Sequence, residues 1–344
     1  MNAEELNSSL GRLDHVASAQ QSLLSAGTAA GTRVIDVKMW DGVDVQILPD
    51  RGFDLGPAWY RGVPVAWASR LGYRRPLSTP LSAAEWITAF GGGLLTTCGL
   101  SNVGSPAEGE GQHGNFSHQP ADDVSITREL RPDGQVLLTA NATILEGSAL
   151  GPLFELRRRW TFRTGEGVIE LADTVTNLGA EIAPAPILYH VNFGSPFWSQ
   201  GAWLEGPGGD VLARDADAEL GLPTWDRAPE PEPHVPEWAF EHILPEASPG
   251  EWPSFRIYSP PTGVRCTVEW DASTLPRAHQ WIHPASTINV LGIEPCNCSV
   301  RGRAFDRAEG RLPVLAPDEA RTTRLKITFA PDVRRAHSDP FALK

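Results

Sequence analysis

After Thr32 the chain alternates between apolar and polar positions. Arg33-Val34-Ile35-Asp36-Val37-Lys38 and Val43-Asp44-Val45-Gln46-Ile47-Leu48 flank Trp40-Asp41-Gly42. Successive strand side chains point to opposite faces, so this pair predicts a β-hairpin. Four longer strands are predicted at 124–130, 136–145, 153–163 and 168–177, with Arg-Pro-Asp-Gly and Thr-Gly-Glu-Gly turns among them. In the third, Phe154, Leu156, Trp160 and Phe162 share one face and arginines occupy much of the other, the pattern of a half-buried antiparallel strand. Strands of the same style return at 254–258, 264–270, 287–293 and 325–329. One short helix is predicted over 82–90, with Ser82 and Glu85 spaced as a capping box and Gly91-Gly92-Gly93 ending it.

Many short strands with Gly and Pro turns and few helices predict an all-β fold, a sandwich or a barrel. Residues 1–30 show no firm period and read as an N-terminal leader, residues 31–334 as a single domain, and 335–344 as a tail. Residues 205–253 break the pattern, with prolines at 207, 223, 229, 231, 233, 236, 245, 249 and 253. Because strands resume afterwards, this stretch reads as an excursion from one domain that serves as a lid or binding loop.

Composition narrows the function. A net charge of −13 over 344 residues argues against a nucleic-acid partner or a membrane-binding basic patch. No stretch of 18 apolar residues predicts a spanning helix, and the N-terminus lacks the basic and apolar regions of a secretory signal. A cytoplasmic location is expected. Cys98, Cys266, Cys296 and Cys298 are too few and scattered for a disulfide scaffold and read as structural thiols. The 12 tryptophans suit sugar platforms and core packing equally.

Polar residues in apolar company carry the candidate chemistry. His190 lies in Ile187-Leu188-Tyr189-His190-Val191-Asn192-Phe193, and Asn192, two positions on, projects to the same face. Glu294 ends an apolar run at Ile293-Glu294-Pro295. A carboxyl so placed has a raised pKa and can act as a base near neutrality, with a nearby histidine as acid. His113 and His118 sit five apart in a Gly-rich loop, as loop histidines or as metal ligands with a third residue. Arg51 stands between Asp50 and Asp54, as a salt-bridge hub or a ligand contact, and Trp281 is a sugar platform or a core residue. A structural ion pair of Glu294 with Arg301 or Arg303 is the alternative to catalysis. No GxSxG, P-loop or dinucleotide fingerprint is present.

Five stretches carry a resemblance: PDRGFDLGPAWYRGVPVAW (49–67), GGLLTTCGLSNVGSP (92–106), QHGNFSHQPA (112–121), LYHVNFGSP (188–196) and LGIEPCNCSVRGR (291–303). In this order they resemble the aldose 1-epimerase (galactose mutarotase-like) superfamily, and more closely its bacterial DUF4432 group. The resemblance implies a β-supersandwich of stacked, twisted antiparallel sheets with a concave sugar site. It implies an isomerase that interconverts sugar anomers, with Glu294 as base and His190 as acid. His113 would be a further catalytic residue, and Arg51, His118, Asn192 and Trp281 would contact substrate. The superfamily's sugar-binding aspartate falls among Asp210, Asp215, Asp217 and Asp226. No cofactor and no metal are expected, and the partner is a monosaccharide or sugar derivative. Arg74, Arg75, Arg301 and Arg303 leave an acidic or phosphorylated sugar open, and a homodimer is compatible with these features. The rival readings are a sugar isomerase acting at another carbon, with a metal at His113, His118 and His190, and a carbohydrate-binding protein without catalysis.

Overall fold

Period-2 burial organises the computed structural model, which describes residues 5, 8–76, 82–246 and 250–332. The tail expected at 335–344 lies outside the described residues. One sheet of eleven strands runs in the order Ala17–Leu23, Arg33–Met39, Val43–Leu48, Asp54–Tyr60, Leu95–Gly99, Ile187–Gly194, Val290–Cys296, Arg277–His283, Trp238–His242, Val211–Ala213, with Val63–Pro64 paired to one side. A second sheet of eight strands runs Trp203–Glu205, Ser254–Ser259, Val264–Trp270, Ala320–Pro331, Gly167–Asn177, Leu153–Arg163, Val136–Gly147, Ala121–Leu130. Every strand pairing is antiparallel. Their facing sides share one core, in which Trp160, Trp198 and Trp270 are wholly buried. This is the expected β-supersandwich.

Three local expectations differ from the structure. The stretch read as a leader contains the edge strand Ala17–Leu23, which pairs with Arg33–Met39. Only Ala17 of that strand is buried, so it shows no alternation from which to read it. The helix expected over 82–90 is helical only at Trp86–Ala89. Glu85 does bond the Ser82 N–H and hydroxyl, at 2.9 and 2.8 Å. A nine-residue segment is too short to sustain a helix by itself, and Trp86 and Phe90 are held instead by a buried aromatic cluster. The proline-rich excursion is not a free flap, because it contributes Trp238–His242 and Val211–Ala213 to one sheet and Trp203–Glu205 abuts it in the other.

Arg158 is the larger surprise. It shares the inward face of its strand with Leu156 and Trp160 and is 1% exposed. Its guanidinium bonds Asp173 at 2.6 and 3.0 Å, the Gly52 carbonyl at 2.8 Å, Thr97 Oγ1 at 2.8 Å, and Asp54. Asp54 also accepts from the Thr97 N–H and hydroxyl, and Asp173 from the Tyr189 hydroxyl at 2.8 Å. A buried guanidinium is tolerated only when its donors are met by fixed acceptors, and here a carboxylate from each sheet meets them.

Replacing Arg158 with Met strands two buried carboxylates. The Arg158→Met variant is expected to lose about 3–5 kcal/mol of unfolding free energy, read from urea titration. A loss below about 1 kcal/mol would show that the cluster does not hold the sheets together.

Candidate active site

The strand Ile187–Gly194 divides its side chains between two worlds. Ile187, Tyr189, Val191 and Phe193 enter the core between the sheets. Leu188 belongs to a second, smaller cluster on the other face of the large sheet, and alternation sends His190 and Asn192 to that face. The neighbouring strand Val290–Cys296 pairs antiparallel with it and puts Ile293 in the core and Val290 and Cys296 on the outer face. Glu294 therefore stands beside His190, with His190 Nε2 3.2 Å from Glu294 Oε1. Gly292 makes room for the pair, since a Cβ there would lie 2.8 Å from His190 Cε1 and 3.1 Å from Glu294 Oε1.

His113 reaches the same place from the loop after Leu95–Gly99. Its ring centroid is 6.2 Å from that of His190. The turn that delivers it has φ +56° at His113 and +68° at Gly114. A non-glycine residue in the left-handed region costs about 1–2 kcal/mol. Gly114 is needed beside it, because a Cβ would lie 2.4 Å from the Gly99 carbonyl. The Gly104 N–H donates to His113 Nδ1 at 3.3 Å, which leaves the proton of the neutral ring on Nε2.

These groups line a cavity of about 380 Å³. One wall is aromatic, with Trp86 stacked on Phe90 at 4.3 Å and Trp281 edge-on to His190 at 5.3 Å. The polar part of the lining comes from the proline-rich excursion. Trp281 Nε1 donates to Glu237 at 2.9 Å, and Arg214 bridges Glu237 and Asp215 at 3.0 and 2.7 Å. Gln112 and Ser105 also line the cavity.

Burial sets the protonation of the site. It pushes the Glu294 carboxyl up to about 7, against the opposing pull of His279. It drives His190 down to about 3, helped by neighbouring His113, and His113 itself down to about 4. Near neutrality both imidazoles are uncharged, and Glu294 is poised between acid and base. Among the described residues no group of three or more His, Cys, Asp or Glu side chains is arranged to hold a metal ion.

The structure thus brings together His113, His190, Glu294 and Trp281. Three other candidates stand apart from the cavity lining. Arg51 is buried and donates to the backbone carbonyls of Arg74 and Ala89, at 3.0 and 2.9 Å. It is not the expected salt-bridge hub, because Asp50 is taken by Arg33 and Asp54 by Arg158. His118 is buried close enough to Arg51 to feel its charge. Asn192 donates to the carbonyls of Gly93 and His190, tying strand to turn. Of the four aspartates considered, Asp215 reaches the cavity. Arg301 and Arg303 do not pair with Glu294, for Arg303 binds Glu108 and Arg301 packs over Phe305. No sequence signal marks Glu237, Arg214, Trp86 or Phe90 as site residues. The first two lie among prolines without periodicity, and the aromatics lie in the segment read only as a helix.

The family model described as "Domain of unknown function (DUF4432)" matches residues 29–329. No curated protein matched the chain. Among solved structures, a protein from Klebsiella pneumoniae subsp. pneumoniae MGH 78578, provisionally described as an aldose 1-epimerase, superposes with a TM-score of 0.84 at 20% identity, over 98% of this chain and 88% of that one. A galactose mutarotase-like protein from Clostridium acetobutylicum gives 0.61 at 14% identity, over 92% and 99%. Galactose 1-epimerase from Lactobacillus acidophilus NCFM gives 0.60 at 12%, over 92% and 99%. At these identities the likeness establishes a galactose mutarotase-like fold.

The tight fit at Gly292 yields a test of the geometry. Gly292→Ala is expected to fold, at a cost of about 1–3 kcal/mol, and to push the His190 ring away from Glu294. The His190 Hε1 resonance should move, while those of the histidines distant from Gly292 stay in place. An unmoved His190 signal would contradict the packing described.

Proposed function

We propose that this chain, which belongs to the DUF4432 family, is an isomerase that interconverts the anomers of a sugar. The observation that carries the proposal is the 3.2 Å contact between His190 and Glu294, in a cavity they share with His113. In the pyranose form, anomer exchange needs a proton removed from the anomeric hydroxyl and one supplied to the ring oxygen. Ionised Glu294 takes the first. His190 gives the ring oxygen its Nε2 proton as the C1–O bond breaks, and in the same relay Glu294 passes the proton it took across the short contact to His190, so that the imidazole stays neutral throughout. The protein is thereby restored while the sugar is an open aldehyde. Rotation about C1–C2 and the reverse transfers close the other anomer. The Nε2–H of His113 supports the ring oxygen while it carries negative charge.

The cavity suits a polyhydroxy ligand. Its aromatic wall offers a surface for the C–H face of a sugar, and its polar wall offers acceptors and donors for hydroxyls. Arg214 is already shared between two carboxylates, which favours an uncharged sugar over a phosphorylated one. Acid and base groups of this kind contribute about 10²–10⁴-fold each.

Glu294→Gln is therefore expected to slow anomer exchange of fresh α-glucose or α-galactose, followed by polarimetry, by about 10²–10⁴-fold. Binding of the same sugar by calorimetry should persist. An unchanged rate, or solvent deuterium appearing at C2, would overturn the proposal. The pH dependence follows from the raised carboxyl. The base is active when ionised, so kcat/KM should be full above about pH 7 and fall as the pH drops through that value. A profile flat between pH 5 and about 8 would exclude Glu294 as the base.

A further inference from the structure

We infer that His279, facing Glu294 from the adjacent strand, is a positioning residue that keeps this carboxyl ionised and so able to accept a proton. The inference rests on the role proposed for Glu294. Strand register carries it. In the pairing of Arg277–His283 with Val290–Cys296, His279 lies directly opposite Glu294. On its other side, in the pairing with Trp238–His242, it lies directly opposite Glu241. Opposed residues of an antiparallel pair project to the same face, with Cβ atoms about 4.5–5.5 Å apart. His279 thus sits between two carboxylates in one row across the sheet, and His190 flanks Glu294 on the far side.

A carboxylate 4% exposed needs a cation, or donors, to remain ionised. The titratable and charged groups around Glu294 are His190 and Cys98 on the neighbouring strands toward the sheet centre, Cys296 on its own strand, Glu237 and Arg214 from the excursion, and His279. Burial keeps His190 neutral. Arg214 is committed to Asp215 and Glu237. His279 is the remaining group able to carry a positive charge beside Glu294. Burial opposes that charge, but Cys296, Glu294 and Glu241 outweigh burial and hold His279 up to about 9. Glu241 is itself fixed by a short bond from Arg277. The row thus alternates in sign, from Glu241 through His279 to Glu294. Cys296 competes for the same imidazole: burial raises its thiol, but Cys298 and His279 outweigh burial and bring it down to about 6, so its sulfur shares the imidazolium with Glu294.

The test is His279→Gln. The Glu294 carboxyl is followed by ¹³C resonance or infrared titration and identified by its loss in Glu294→Gln. The expected result is an upward shift of the Glu294 midpoint by about one pH unit, with the acid limb of kcat/KM moving equally. At pH 6 the rate should fall about tenfold more than at pH 9. A merely structural role would lower the rate by one factor at every pH and leave the midpoint in place, which would overturn the inference. Should the variant not fold, ¹⁵N resonances of the wild-type His279 ring decide the matter. A doubly protonated ring at pH 7 supports the inference and a neutral one overturns it. Carboxyl titration needs no turnover, so absent anomer exchange in the wild type would sink the catalytic proposal and leave this result readable.

Discussion

The structure depends on a guanidinium placed where charge is least welcome. Arg158 projects into the core between the sheets and is met by Asp173 from the small sheet and Asp54 from the large one. Each partner alone would pay a desolvation cost of several kcal/mol, and together they are acceptable only in one arrangement. The cluster also reaches the strand that bears His190. Tyr189, its immediate neighbour, bonds Asp173 and the Thr323 hydroxyl, and Thr97, opposite Tyr189 on the next strand, bonds both Asp54 and Arg158. One residue on, alternation turns the chain to the outer face. The position of His190 is in this way anchored by charges it never touches.

On that outer face the same physics runs in reverse. Between the sheets, burial is answered by hydrogen-bonded acceptors on both sides, and Asp173 and Asp54 hold the Arg158 guanidinium charged against the cost of burial. In the cavity, burial is answered only in part, so the histidines lose their charge and Glu294 is lifted toward neutrality. A base near pH 7 has to be both buried enough to want a proton and supported enough to release it. Aromatic side chains supply the first condition at His113 and His190, which touch Trp86, Phe90 and Trp281.

The proline-rich stretch shows why a segment without periodicity can still be organised. Its prolines interrupt any long ladder, yet short pieces dock on both sheets, and the turns between them present Arg214, Asp215 and Glu237 to the cavity. Backbone docking sets where these side chains stand. Their mutual ion pairs then set their charge, so one continuous segment shapes the polar wall.

What the sequence determined by itself was local. Period-2 alternation marked the hairpin at 33–48 and the four strands between 121 and 177 to within a few residues. Histidine or glutamate inside apolar runs marked His190 and Glu294, because a polar group there must be paired or used. The edge strand Ala17–Leu23 escaped notice because only one of its residues is buried. Tertiary structure decided the rest. Arg51 and Arg158 look alike in sequence, each an arginine near acids. Only the strand pairings show that Arg158 takes Asp54, leaving Arg51 to backbone carbonyls. Likewise the meeting of residues 113, 190, 237 and 294, and the row from Glu241 to Glu294, exist only once strands far apart in sequence are hydrogen-bonded in register. A pKa set by burial and by charges on neighbouring strands is a property of that assembly, and no single stretch of the chain contains it.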